Sequence, residues 1–183
     1  AAGGEPDAIL TDIEPGLDVL PGAPEDFRKD QRIGDWLTQL TQIERQEPYD
    51  FVLVDSAPYA GARSRDLLVN AKELLLVIRA EPLSHRTLPG FLHDLRRLDS
   101  VGMAPSLRGI VLTLPQGEEL GGRWEKGLRN RFGSRMFPQA IPYDPVVGYT
   151  LLKGVPVVVG NPESVPAQSY QAIAESLLGD AES

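Results

Sequence analysis

The stretch Tyr49-Asp50-Phe51-Val52-Leu53-Val54-Asp55-Ser56-Ala57-Pro58 decides how this chain is read. Four consecutive apolar residues run into a carboxylate, and a Ser-Ala-Pro turn follows. Continuous apolar runs belong to strands buried on both faces, and so to parallel sheets. At the end of such a strand Asp55 stands on the carboxyl edge, where open α/β sheets bind their ligands. A carboxylate there can hold Mg²⁺, directly or through water, beside phosphates. The competing reading is an Asp that only caps the following loop, and the run alone leaves both open.

Outward from this stretch the pattern alternates. Upstream, Gly16-Leu17-Asp18-Val19-Leu20 reads as a short strand, and Ile33, Trp36, Leu37, Leu40 and Ile43 recur at helical spacing over about Glu25–Gln46. Downstream, a short helix is expected over Arg65–Asn70 and a second buried strand at Leu74–Ile78. Leu88, Phe91, Leu92, Leu95 and Leu98 mark an amphipathic helix with Pro89 in its first turn. A third buried strand follows at Ile110–Leu112, a polar helix at Leu120–Phe132 and a strand reaching Ile141. A helical turn is expected after Pro145, and the last helix over Pro166–Leu178. Val155–Val159 is apolar but broken by proline, which predicts an edge or a loop. This alternation predicts an α/β fold with a mostly parallel sheet flanked by helices. Residues 1–8 read as a leader, and 9–183 as one α/β domain.

Composition narrows the functions. The 183 residues carry 18 Lys+Arg against 26 Asp+Glu, a net charge of −8, with 42% hydrophobic and 24% charged residues. That is globular composition, and a chain of this size buries roughly 70% of its unfolded surface. The absence of cysteine removes disulfides, thiolate nucleophiles and Cys-ligated metal. Two histidines, His85 and His93, are too few for a histidine metal site, and no orienting acid makes either a general base. The acidic balance argues against a dedicated high-affinity nucleic-acid binder but leaves room for a local basic patch. No apolar run is long enough to span a bilayer.

The stretch 49–58 resembles the Walker B and switch segment of the ParA/MinD family of partition ATPases. Further segments match in order: Gly16–Pro21, then Leu74–Ile78 with Arg79-Ala80-Glu81-Pro82, and then Gly109-Ile110-Val111-Leu112-Thr113. Phe132-Gly133, Phe137 and Ile141-Pro142-Tyr143-Asp144-Pro145 resemble the loop that holds the nucleotide base. Lys153-Gly154-Val155-Pro156-Val157-Val158 and Ala167-Gln168-Ser169-Tyr170 resemble the closing segments. The likeness implies a P-loop NTPase-like fold that uses ATP and Mg²⁺. Asp55 would polarise a water or hold the Mg²⁺ shell as the catalytic acid, and Ser56–Gly61 would respond to the γ-phosphate. Thr113 would reach the adenine edge, and Pro142, Tyr143 and Asp144 would wall the base. The partners implied are a second copy in a homodimer, non-specific DNA and a ParB-like centromere-binding protein. The setting implied is cytoplasmic and nucleoid-associated, in chromosome segregation or plasmid partition.

One part of the family pattern is not in these residues. The family's phosphate loop is Gly-rich with two lysines and precedes everything quoted above. Gly3-Gly4 has no following Lys and Ser/Thr, and Gly154–Gly160 is filled with valines and a proline. Phosphoryl transfer depends on positioning and electrostatics, so these residues alone are expected not to hydrolyse ATP. The expectation is therefore the C-terminal portion of a longer ATPase. Two other readings stand beside it: a MinD-like placement protein, against which the acidic end Gly179–Ser183 argues, and a non-catalytic interaction module with a degenerate nucleotide site.

Arg123, Lys126, Arg129, Arg131 and Arg135 form a basic cluster opposed by Glu125 alone, with Arg96 and Arg97 elsewhere in the chain. It is the candidate DNA-binding surface, set against the plainer reading of a solvated helix face.

Overall fold

Aliphatic runs become strands here only where a neighbouring strand is available to pair. A computed structural model of the protein describes residues 10–14, 16–19, 49–56, 62–114 and 118–181. They fall into two compact units, Ala1–Asn70 and Ala71–Ser183. The helix expected over Glu25–Gln46 and the leader at residues 1–8 lie outside the described residues.

In the first unit β1 (Leu10–Glu14) and β2 (Leu17–Val19) pair antiparallel. Gly16 takes φ +78 in the turn between them, a conformation that glycine adopts without steric cost. The Tyr49 hydroxyl donates to Asp18 at 2.7 Å and ties residue 49 to this hairpin. The strand expected at Phe51–Val54 does not form: residues 51–56 enter no ladder among the described residues, and Leu53 is 88% exposed. An apolar run supplies side chains fit for burial, but a strand also needs a partner for its N–H and C=O groups. Helix α1 (Ala62–Asn70) closes the unit.

The second unit holds a parallel three-stranded sheet. Its strands are β3 (Glu73–Arg79), β4 (Ser106–Thr113) and β5 (Met136–Ile141), in the order β3-β4-β5. The register sets Leu76 beside Ile110, Ile78 beside Leu112 and Thr113 beside Ile141. Helices α2 (Pro82–Asp99) and α3 (Glu118–Phe132) make the two crossovers. Consecutive right-handed crossovers lie on one face of the sheet. Helix α2 begins at Pro82, one residue before the apolar Leu83, so Pro89 sits inside the helix and not at its start. Proline suits an N-terminal turn because that N–H has no partner there, and Pro82 already fills the role.

After β5 come α4 (Pro145–Leu152), α5 (Val157–Gly160) and α6 (Val165–Ala181). Val157–Gly160 is thus a short helix where an edge or loop was expected. Pro156 precedes its first residue, where a proline costs no hydrogen bond, and the N–H of Gly160 reaches back to the Pro156 carbonyl at 2.8 Å. Helix α6 covers the sheet face of Val111, Phe137 and Ile141, packing Ile173 and Leu177 against them. Ile110 and Leu112, of opposite parity, are 0% exposed and belong to the face of the crossover helices. Gly109 is required where it stands: a Cβ would lie 2.4 Å from the Phe137 ring. Arg108 ties the layers together, donating to the Leu177 carbonyl at 3.0 Å with Glu73 at 3.7 Å.

Candidate nucleotide-base edge

The carboxyl ends of β3, β4 and β5 are fastened to one another. The Ala80 N–H donates to the Thr113 carbonyl at 2.9 Å, and the Leu114 N–H donates to the Ile141 carbonyl at 2.8 Å. These bonds extend the ladders one residue past the strands. Thr113, at the end of β4, is paired in register with Ile141, which Pro142 follows directly. The edge therefore sets Thr113 beside Ile141, with Pro142 and Tyr143 next in the chain. Thr113 and Pro142 are half-buried, and Tyr143 is exposed.

Asp144 has a local duty here. Its Oδ1 accepts from the Val146 N–H at 2.9 Å, which makes it the N-cap of α4. Pro145 then fills the first helical position, the arrangement expected of a capped helix start. This leaves Oδ2 as the carboxylate oxygen without a capping role. On the other side of Thr113, Arg79 Nε and Glu81 Oε2 meet at 3.0 Å in the turn between β3 and α2.

Asp55 and Ser56 belong to the first unit, and both are exposed at the end of the unpaired stretch 51–56. Among the described residues no group of three or more His, Cys, Asp or Glu side chains gathers to hold a metal. One carboxylate still suits Mg²⁺, which keeps most of its waters and binds proteins through one or two carboxylates plus substrate phosphates. The phosphate cradle has no counterpart among the described residues. The glycines with positive φ are Gly16, Gly102, Gly133 and Gly154. None is followed by the Lys-Ser/Thr pair that a phosphate loop needs, and Gly133 leads into β5 at the sheet's amino edge, away from the ligand side.

The basic cluster divides once its geometry is known. Arg129 is bound on three sides: its Nε donates to Glu125 at 2.8 Å, Nη1 to the Phe137 carbonyl at 3.1 Å and Nη2 to the Pro138 carbonyl at 2.9 Å. It braces α3 against the start of β5. Arg131 stands 5.5 Å from the Phe132 ring centroid, a cation–π distance. Arg123, Lys126 and Arg135 are exposed. A feature not foreseen from the sequence is the pairing of His85 on α2 with Trp124 on α3, ring centroids 5.1 Å apart. Nothing in the spacing of two residues 39 positions apart signals it. Among the described residues no helix is long and apolar enough to cross a membrane.

Comparison with known proteins adds likeness in sequence and in fold. No protein-family profile matches the chain. It is 28% identical over 178 residues to the chromosome-partitioning ATPase Soj of Thermus thermophilus, covering 96% of this chain and 71% of that protein. It is 25% identical over 137 residues to the Soj of Treponema pallidum, covering 74% of this chain and 54% of that one. Among solved structures, the cell division ATPase MinD of Pyrococcus furiosus superposes with a TM-score of 0.60 at 21% identity, over 88% of this chain and 65% of that one. The septum site-determining protein MinD of Pyrococcus horikoshii, complexed with Mg-ADP, gives 0.63 at 22% identity, over 93% and 67%. The MinD structures show the α/β fold, and the Soj sequences show a likeness to the ParA/MinD-type ATPases that runs over most of this chain.

Proposed function

We propose that these residues form the base-binding part of a ParA-type partition ATPase that works with ATP and Mg²⁺. The observation that carries the reading is the fastened carboxyl edge. It sets the end of β4 at Thr113 beside Ile141, the residue from which the Pro142-Tyr143 loop departs, which supports a base site built from the Thr113 hydroxyl, the loop's backbone groups and the Tyr143 ring. A hydroxyl and backbone groups can hydrogen-bond the edge of adenine, and an aromatic side chain offers it a face. Asp144, already half-committed as a helix cap, holds the loop in shape.

Asp55 takes the role of metal-shell acid and Ser56 that of a γ-phosphate sensor, as the family likeness implies. Bound Mg²⁺ supplies neutralisation of phosphate charge. The 183 residues carry no phosphate loop, so by themselves they bind nucleotide weakly and do not turn it over. In the working ATPase the protein dimerises, binds nucleoid DNA non-specifically and answers to a ParB-like partner.

The charge of the second unit favours one face for DNA. Residues 82–135 hold nine Lys and Arg against five Asp and Glu, whereas residues 136–183 hold one Lys against five acids. The crossover helices thus form the basic side. Arg123, Lys126 and Arg131 are its contacts, while Arg129 is spent on the fold.

The test is an NMR titration of the isotope-labelled chain with millimolar ATP and Mg²⁺. Shifts should concentrate at residues 113–114 and 141–144 and weaken in Tyr143→Ala and Thr113→Val. Shifts confined to other segments would overturn the base edge. For DNA, Arg123→Glu with Lys126→Glu should lower retention at low salt and flatten its salt dependence, by about one unit of slope per lost phosphate contact.

A further inference from the structure

Helix α6 has two apolar faces, and the sheet uses only one. Ile173 and Leu177 pack on the sheet. Tyr170, Ala174 and Leu178 follow each other at i, i+4 and i+8 on an adjacent face, and all three are exposed. This second stripe is about 12 Å long at 1.5 Å per residue. Tyr170 and Ala174 form one wall of a groove of about 660 Å³, whose other walls include Leu151 of α4, Val155 of the connection and Val158 of α5. Helix α4 contributes more apolar surface beside it. Its sequence Pro-Val-Val-Gly-Tyr-Thr-Leu-Leu has no charged residue, yet Leu152 is 89% exposed. A helix apolar on every side is normally buried, so its exposure marks a contact surface.

The charges around the groove indicate what fits it. No lining residue is charged. Helical geometry sets Glu175 one turn beyond Gln171, on the outer rim of the stripe. Glu175 is exposed and has no hydrogen bond or ion pair among the described residues. The whole segment from Met136 onward has Lys153 as its one basic residue against five acids. Lys153 is itself engaged, with its Nζ 4.2 Å from the Tyr149 ring centroid. Nucleic acid and anionic lipid would meet repulsion here. A second copy would bring an equally acidic segment to the contact, and like charges across an interface are penalised. A row of side chains spaced four residues apart on α6 matches the ridge of another helix.

We propose that the α4–α5–α6 groove is a docking site for an amphipathic helix of a partner protein, apolar on its inner face and flanked by lysine or arginine. The site is independent of the nucleotide edge, and its test needs no nucleotide. The test uses the full chain and two synthetic helical peptides of about five turns. Both carry leucine at i, i+4 and i+8. One has lysines on the flanks and the other has glutamates at the same positions. Fluorescence anisotropy should show the lysine peptide binding at least tenfold more tightly than the glutamate peptide. Ala174→Arg should remove that binding, and Glu175→Lys should narrow the gap between the peptides. Leu151→Lys, at an exposed wall position, serves as a second blocking variant should Ala174→Arg perturb the helix, and thermal melts check that each variant folds. Equal binding of both peptides would overturn the cationic assignment. Lysine-peptide binding that survives both blocking variants would overturn the site. Concentration-dependent dimerisation seen by sedimentation and abolished by Ala174→Arg would assign the groove to a second copy and overturn the proposal.

Discussion

Phe51–Val54 and Ile110–Leu112 are both uninterrupted aliphatic or aromatic runs, and in sequence they promise the same thing. Ile110 and Leu112 are 0% exposed on a strand with neighbours on both sides, whereas Leu53 is 88% exposed on a stretch that joins no ladder among the described residues. Hydrophobicity states which segments favour burial. Pairing decides which of them become strands, and pairing is a non-local property that no window of sequence contains. The strongest way to break this contrast is to truncate both. Leu112→Ala should destabilise the protein by about 2–5 kcal/mol, the range for emptying a packed core site. Leu53→Ala should stay within about 0.5 kcal/mol, as exposed positions do. Urea unfolding of both variants measures this. A Leu53 cost close to that of Leu112 would mean that the run is buried in solution and that the contrast is false.

A second prediction sharpens the buried side. Gly109 lies under the Phe137 ring, and an added Cβ would sit 2.4 Å from it. Phe137 is itself buried beneath α6, so the ring has little room to retreat. Gly109→Ala should therefore cost about 1–3 kcal/mol through overpacking. In a Phe137→Leu background the same substitution should cost measurably less, because neighbours sharing a contact are coupled. A cost unchanged in that background would show that the contact is not the cause.

The sequence-based reading succeeded where one segment carries its own evidence. Leu74–Ile78, Ile110–Leu112 and the helix through Leu88 and Leu98 are periodic or continuous enough to stand alone, and each is found with slightly extended ends. It failed where context decides. The apolar periodicity starts at Leu88 and so sets Pro89 in a first turn, whereas Pro82 starts the helix and Leu83 to Thr87 extend it. Val157–Gly160 is too short for any period to show. The base edge was legible only as residue types after strand ends. That Thr113 and Ile141 are brought side by side comes from register, through the bond from Leu114 to Ile141. The basic cluster was legible as charge, but the sequence cannot separate a cation used by the fold from one offered to a partner.

That separation gives the third prediction, now between two arginines of one helix. Arg129 donates to two carbonyls at the start of β5 and to Glu125, whereas Arg123 is exposed. Arg129→Met should cost about 1–2 kcal/mol, a net value for part-exposed charged hydrogen bonds. Arg123→Met should leave stability within about 0.5 kcal/mol and act on DNA retention instead. Finding the opposite order in thermal melts would reverse the division of the cluster.

The smallest effect tests the two duties of Asp144. As N-cap of an eight-residue helix, its Oδ1 meets the Val146 N–H. Asp144→Ala removes that acceptor and should cost about 0.5–2 kcal/mol, with a value near 1 typical of caps. Asp144→Asn keeps an acceptor of the same size and should fall within a few tenths of the parent protein. The pair is informative because the cap needs only an oxygen, whereas a wall of the base site that works by charge needs the carboxylate. If Asp144→Asn melts like the parent protein and binds ATP like it, Asp144 acts on nucleotide only by shaping the loop. If it melts like the parent but binds ATP more weakly, Oδ2 faces the ligand, and the fastened edge then offers a charge as well as a surface, a property that the unpaired stretch ending at Asp55 would no longer hold alone.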